Sequence, residues 1–153
     1  MSRRAISRGL DPALAIRWVF PHAPEIPVTI NGGMVMPAWY DIRDLDLEAP
    51  RRSDTDGLER SVQRVRLLIE EEVEAGLPTE RIVVAGFSQG GAVAFELALT
   101  HPTRLAGLVA LSTYIVDRPR ITRELTEANA SLPILQCHGT HDPMVPVACQ
   151  PRA

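Results

Sequence analysis

One short stretch constrains this chain more than any other. The β-branched run Arg81-Ile82-Val83-Val84-Ala85-Gly86 reads as a buried parallel strand, apolar on both faces as central strands are. It ends in Gly86-Phe87-Ser88-Gln89-Gly90, and an apolar helical pattern runs from about Gln89 to Thr100. A strand, a tight turn on G-x-S-x-G and a helix together form the pattern of a nucleophile elbow. The glycines have a physical reason: the serine sits on a strained turn, and its flanks must be small for strand and helix to pack closely. That geometry lifts the Ser88 hydroxyl clear of the sheet. It also sets the first N–H groups of the helix, Gln89's among them, where they can stabilise an oxyanion. A glycine-rich phosphate loop is the competing reading. A Walker loop needs lysine, and all 16 basic residues here are arginine. A dinucleotide fingerprint needs G-x-G-x-x-G, which Ser88 breaks.

Around this elbow, strand-like and helix-like patterns alternate. Leu14–Phe20 reads as a strand stopped by Pro21, followed by a proline-rich connection to about Asp54 with a turn at Asn31-Gly32-Gly33. Asp56, with Glu59 three residues on, suggests a capping box for a helix whose apolar face is Leu58, Val62, Val65, Leu68, Ile69 and Val73. Gly76 and Pro78 end it. The run Glu70-Glu71-Glu72 is its solvated side. Leu105–Leu111 and Leu132–Cys137 read as further strands, with a weaker helix over Thr122–Asn129 between them. Alternation of this kind predicts a parallel sheet with helices on its faces. Ligand sites in such sheets lie at the carboxyl ends of the strands.

In hydrolases built on such sheets the order along the chain is Ser, then Asp or Glu, then His. Asp142, in Gly139-Thr140-His141-Asp142-Pro143, stands just past a strand two βα units after the elbow. A carboxylate there would orient an imidazole and stabilise its charged form. Asp142 could instead be a plain Asp-Pro turn. Asp117, one strand earlier, is the weaker alternative acid.

Four runs in order carry a family resemblance: Arg17-Trp-Val-Phe-Pro-His-Ala-Pro24, Asn31-Gly-Gly33 with Ala38-Trp-Tyr-Asp-Ile42, Gly86-Phe-Ser-Gln-Gly-Gly91, and His138-Gly-Thr-His-Asp-Pro-Met-Val-Pro146. Over about residues 14–147 the chain resembles the carboxylesterase and acyl-protein thioesterase (phospholipase/carboxylesterase) family of α/β-hydrolases. The resemblance implies a partial α/β-hydrolase fold, with a parallel sheet of about four core strands flanked by helices. It implies hydrolysis of a small-molecule carboxylic ester or thioester through an acyl-enzyme, with no cofactor and no metal. It maps the nucleophile onto Ser88, the acid onto Asp142 and one oxyanion N–H onto Gln89. It sets Trp39 near the acyl pocket.

Two parts of the family pattern have no counterpart in this sequence. No histidine follows Asp142, where the triad base is expected. The His-Gly-rich loop that supplies the other oxyanion donor has no match among the first residues, and the tail Val147–Ala153 also leaves the pattern. The expectation is a single incomplete domain over residues 1–153, truncated at both ends and impaired in turnover. His22, His101, His138 and His141 are expected to be structural rather than substitutes for the base. The alternative to an impaired hydrolase is a non-catalytic remnant that binds acyl ligands or self-associates through an uncovered sheet edge.

Composition fits this reading. With 45% hydrophobic and 23% charged residues the chain is of globular type. Its formal charge of −3 and lack of any basic run argue against nucleic-acid and anionic-membrane partners. No apolar stretch suits an export signal or a membrane span. The expected location is therefore the cytoplasm, with Cys137 and Cys149 as free thiols.

Overall fold

The computed structural model of the chain describes residues 15–44 and 53–149. Leu14, the first residues of the chain and the tail from Gln150 lie outside that range. A short antiparallel hairpin comes first: β1 (Glu25–Val28) pairs with β2 (Met34–Pro37). The expected turn at Asn31-Gly32-Gly33 closes it, with Gly32 and Gly33 at φ +67° and +78°. Positive φ is the reason glycine occupies both positions.

Helix α1 (Thr55–Glu74) follows. Its cap is Asp54 rather than Asp56. The Asp54 carboxylate accepts the N–H of Gly57 at 3.0 Å and also that of Asp41 at 3.0 Å. This second bond to the preceding loop favours Asp54 over its neighbour. Asp56 stands in the first turn, where a negative charge suits the helix dipole. Glu59 pairs with Arg120 instead of closing a capping box.

The central unit is β3 (Val83–Phe87), α2 (Gln89–Thr100), β4 (Gly107–Leu111), α3 (Arg118–Glu124) and β5 (Ile134–Cys137). The strands form a parallel sheet in the order β3-β4-β5. Helix α3 starts four residues before the expected Thr122, and Glu127–Asn129 forms a separate 3₁₀ turn. Asp117 caps α3 by accepting the N–H of Arg120 at 2.9 Å, so the alternative acid serves as a cap.

Helix α2 packs on β3 and β4, and α1 and α3 pack on α2. Leu58, Val62, Val93, Phe95, Leu97, Leu105 and Leu108 fill this core at 3% exposure or less. The other face of the sheet is different. Val83, Phe87 and Leu135 are 56%, 66% and 58% exposed, and Cys137 is exposed beside them. The expectation that β3 is buried on both faces fails: α2 packs on one face, while Val83 and Phe87 on the other stay exposed among the described residues.

The strand expected at Leu14–Phe20 is also absent from the described residues. Residues 15–24 are irregular, and Ile16, Val19 and Phe20 are 44–61% exposed. Among the described residues the parallel sheet has three strands rather than about four. A strand persists only when its backbone groups find a ladder partner. The alternation shows only locally, where Trp18 stacks on Phe20 with ring centres 6.2 Å apart. Arg17 ties the segment to α1 through Glu72 at 2.8 Å.

Candidate active site

Ser88 joins β3 to α2 with φ +50° and ψ −122°. Among the described residues only Ser112, at φ +41°, is another non-glycine with positive φ. Such backbone costs on the order of 1–3 kcal/mol per residue and persists only where its surroundings impose it. Here they do. The Ser88 N–H donates to the Leu111 carbonyl at 2.9 Å, and the Ser88 carbonyl accepts the Thr113 hydroxyl at 2.7 Å.

The close packing expected of the glycines is present. A Cβ on Gly86 would lie 2.2 Å from the Gly90 carbonyl oxygen, and one on Gly91 would lie 2.5 Å from the Thr113 Cβ. Both contacts are too short for any side chain, so strand and helix meet as they do only because these positions lack one.

Gln89 is the first residue of α2. Its side chain has a role that the sequence did not suggest: its Oε1 accepts the Trp39 N–H at 2.8 Å, and its Nε2 donates to the Tyr40 carbonyl at 2.7 Å. The Ser61 hydroxyl donates to the Trp39 carbonyl from α1. The Trp39 indole faces Gly90, where a Cβ would meet its Nε1 at 3.4 Å. Tyr40 is buried, with its hydroxyl 2.7 Å from that of Tyr114. Ser88, Gln89 and Trp39 are thus brought together at one strand end, while the chain segments that carry them are about 50 residues apart.

Asp142 stands beyond β5, on the opposite side of β4 from Ser88. Its Oδ1 accepts the N–H groups of Met144 at 2.9 Å and Val145 at 3.0 Å. These bonds from Val145 and Met144, then Ser112 and nearby His138, hold the carboxyl below its usual range. The Asp-Pro turn uses Oδ1, and Oδ2 faces His138 at 3.8 Å.

Of the four histidines, His138 lies against Asp142, and its Nε2 is 2.7 Å from the Val145 carbonyl. His141 is exposed and meets Thr140. His22 is exposed. His101 is buried against Thr103, and burial lowers its pKa.

Asn129 and Glu96 are buried polar residues that no motif in the sequence marks. Asn129, fully buried, accepts the Leu105 N–H and donates to the carbonyls of His101 and Thr103 at 2.9 Å each. Glu96, on the apolar helix α2, is 1% exposed and lies 3.1 Å from Arg120 Nε. No periodicity argument distinguishes either from a solvated residue. No described helix is long and apolar enough to cross a membrane, and both cysteines are free.

Comparisons with known proteins agree with this geometry. The Phospholipase/Carboxylesterase family profile matches residues 10–153. An acyl-protein thioesterase 1 of Cryptococcus neoformans is 44% identical over 131 residues, which is 85% of this chain and 55% of that protein. An acyl-protein thioesterase 1 of Schizosaccharomyces pombe is 42% identical, over 86% of this chain and 58% of that protein. A crystal structure of a variant of Arabidopsis thaliana SOBER1 superposes with a TM-score of 0.84 and 32% identity, covering 92% of this chain and 67% of that one. The chain spans a little over half the length of the curated relatives it matches.

Proposed function

The chain belongs to the phospholipase/carboxylesterase family of α/β-hydrolases, and on that premise we propose that its chemistry is serine-nucleophile hydrolysis of carboxylic esters or thioesters. The observation that carries this reading is Ser88, held at positive φ between a parallel strand and the N-terminus of α2. In the proposed reaction the Ser88 oxygen attacks the acyl carbonyl carbon and the developing oxyanion takes a hydrogen bond from the Gln89 N–H. The acyl–oxygen or acyl–sulfur bond breaks, and the leaving group departs with the proton that an imidazole took from Ser88. Asp142 orients that imidazole and stabilises its charged form, and water then hydrolyses the acyl-enzyme. Trp39, clamped beside the elbow, lines the acyl side. The reaction needs no cofactor. The substrate is a small acyl compound, and the location is the cytoplasm.

No histidine follows Asp142 in this sequence. These 153 residues span a little over half of the relatives' length, and we propose that by themselves they turn over slowly. A triad serine without its base retains roughly 10³–10⁴-fold acceleration over water. The test is turnover of a short-chain p-nitrophenyl ester, wild type against Ser88→Ala, with and without added imidazole. Slow turnover that depends on Ser88 and rises with imidazole only when Ser88 is present supports the reading. Fast turnover abolished by Ser88→Ala would remove the impairment. Equal rates for the two proteins under both conditions would remove the hydrolase reading.

A second reading rests on the exposed apolar row of Val83, Phe87 and Leu135. A parallel sheet with a bare apolar face and an open edge favours self-association or capture of acyl ligands. Light scattering against concentration tests it. A monomer at all concentrations, with no binding of a fatty acyl probe, counts against it.

A further inference from the structure

Three pairs of adjacent residues meet at the elbow, and each pair is hydrogen-bonded to the other two. Ser88-Gln89 holds Trp39-Tyr40 through the Gln89 carboxamide, which accepts the Trp39 N–H at 2.8 Å and donates to Tyr40 O at 2.7 Å. Thr113-Tyr114, just past β4, reaches both of them. The Thr113 hydroxyl donates to Ser88 O at 2.7 Å, and the Tyr114 hydroxyl lies 2.7 Å from that of Tyr40. The circuit is closed, although its members lie between 25 and 74 residues apart in the chain.

Apolar burial does not account for these contacts. Tyr40 is 3% and Thr113 2% exposed, and Tyr114 packs against the same core. Phenylalanine and valine would fill those volumes without the cost of burying a hydroxyl. A buried hydroxyl needs a partner, and it bonds that partner only at one distance and over a narrow range of angles. Apolar contact has no such direction. The two tyrosines therefore fix the separation between the Trp39 segment and the end of β4, and Thr113 fixes that end to the elbow. Ser88 O already accepts the Gly91 N–H at 2.9 Å within α2, and the Thr113 hydroxyl adds a donor from outside the helix. It does so at a residue held at φ +50° and ψ −122°, a backbone that persists only where its surroundings impose it.

From this we infer that Thr113 and Tyr114 are positioning residues with separate outputs. Thr113 sets Ser88 through its carbonyl. Tyr114, through the Tyr40 hydroxyl, sets the depth of the acyl side at Trp39 and with it the preference for acyl-chain length. The inference rests on the proposed roles of Ser88 and Trp39 and adds what governs selectivity between substrates. The Trp39 indole faces Gly90 in the first turn of α2, so a shift of its backbone changes the space beside Ser88. An acetyl group ends at the elbow and is little affected by such a shift. An octanoyl chain runs on past Trp39 and is affected.

The test measures turnover of p-nitrophenyl acetate and p-nitrophenyl octanoate with added imidazole, and acrylamide quenching of Trp39 in a Trp18→Phe background. Tyr114→Phe is expected to change the octanoate-to-acetate ratio of kcat/KM by about threefold or more and to raise Trp39 quenching. Tyr40→Phe removes the same bond from its other side, and the same changes are expected. The double variant Tyr40→Phe/Tyr114→Phe leaves no hydroxyl unpaired, so it keeps the test open if a single variant does not fold. Thr113→Val keeps the shape and deletes the donor. It is expected to lower kcat for both esters by the same factor, with the ratio unmoved. Thr113→Ser keeps the donor without the methyl group and is expected to recover most of that loss, as packing alone would not. An unchanged ratio or unchanged quenching in a folded phenylalanine variant would overturn the role of Tyr114. An unchanged kcat in folded Thr113→Val, or no recovery in Thr113→Ser, would overturn that of Thr113. Failure of the hydrolase reading shows instead as equal turnover by wild type and Ser88→Ala, and Trp39 quenching then decides whether the tyrosine pair holds its segment.

Discussion

The Gln89 carboxamide holds the backbone of Trp39 as a neighbouring strand would: it accepts the Trp39 N–H at 2.8 Å and donates to the next carbonyl, that of Tyr40, at 2.7 Å. One side chain, on the residue after the expected nucleophile, thereby fixes the segment proposed to line the acyl side. Gln89→Ala should release that segment at a cost of about 1–3 kcal/mol, since two part-buried backbone groups lose their partner. Trp39 emission should shift to longer wavelength, with Trp18→Phe as background. Unchanged emission and stability would show that Ser61 and packing suffice.

Gly86 and Gly57 should respond differently to the same substitution. At Gly86 a Cβ meets the Gly90 carbonyl at 2.2 Å, and backbone in a buried turn cannot yield. Gly86→Ala should cost about 3 kcal/mol or more, at or beyond the upper end of overpacking. At Gly57 the Cβ meets the Asp54 side chain, which can swing away and lose its cap bond for about 1 kcal/mol. Urea denaturation of the two variants gives the comparison, and equal midpoints would contradict it.

Glu96 makes stability fall as pH rises. Burial is the largest cause and pushes its pKa to about 7, against the pull of Arg120 and with the push of Glu124, Asp117 and Glu59. Arg120 lies 3.1 Å away, yet that Glu96 oxygen makes no hydrogen bond, because the guanidinium is also shared with Glu59 and Glu124. The folded state keeps the proton that the unfolded state releases near the ordinary carboxyl value of 4.5. Stability is therefore lost between pH 4.5 and 7, by on the order of 3 kcal/mol at most. Glu96→Gln should flatten this part of a melting-temperature profile. A slope identical to wild type would refute the assignment.

Leu97 is 0% exposed at the centre of α2. Leu97→Ala should cost about 2–5 kcal/mol through lost burial and a cavity. Asn129→Ala should cost about 1–3 kcal/mol, because it strands the buried Leu105 N–H and takes one donor from each of the His101 and Thr103 carbonyls. Both are measured by the same denaturation. Losses under 0.5 kcal/mol would show that the core relaxes around them.

The sequence by itself determined the elbow, the parallel sheet around it and the family. These follow from local rules: β-branched runs, glycine at positions of close approach, and the spacing of apolar residues along α1 and α2. It also brought Ser88, Gln89, Trp39 and Asp142 forward as candidates. The tertiary structure decided which of two neighbouring aspartates caps α1, because the choice of Asp54 depends on the N–H of Asp41 in a separate loop. It decided that Leu14–Phe20 supplies no strand among its described residues, because a strand depends on a partner that its own pattern does not specify. It set Glu96 beside Arg120, the Gln89 side chain on Trp39, and the Thr113 hydroxyl on the Ser88 carbonyl. Each of these contacts joins segments far apart in the chain, and their energies depend on burial and alignment that exist only once the sheet and helices have packed.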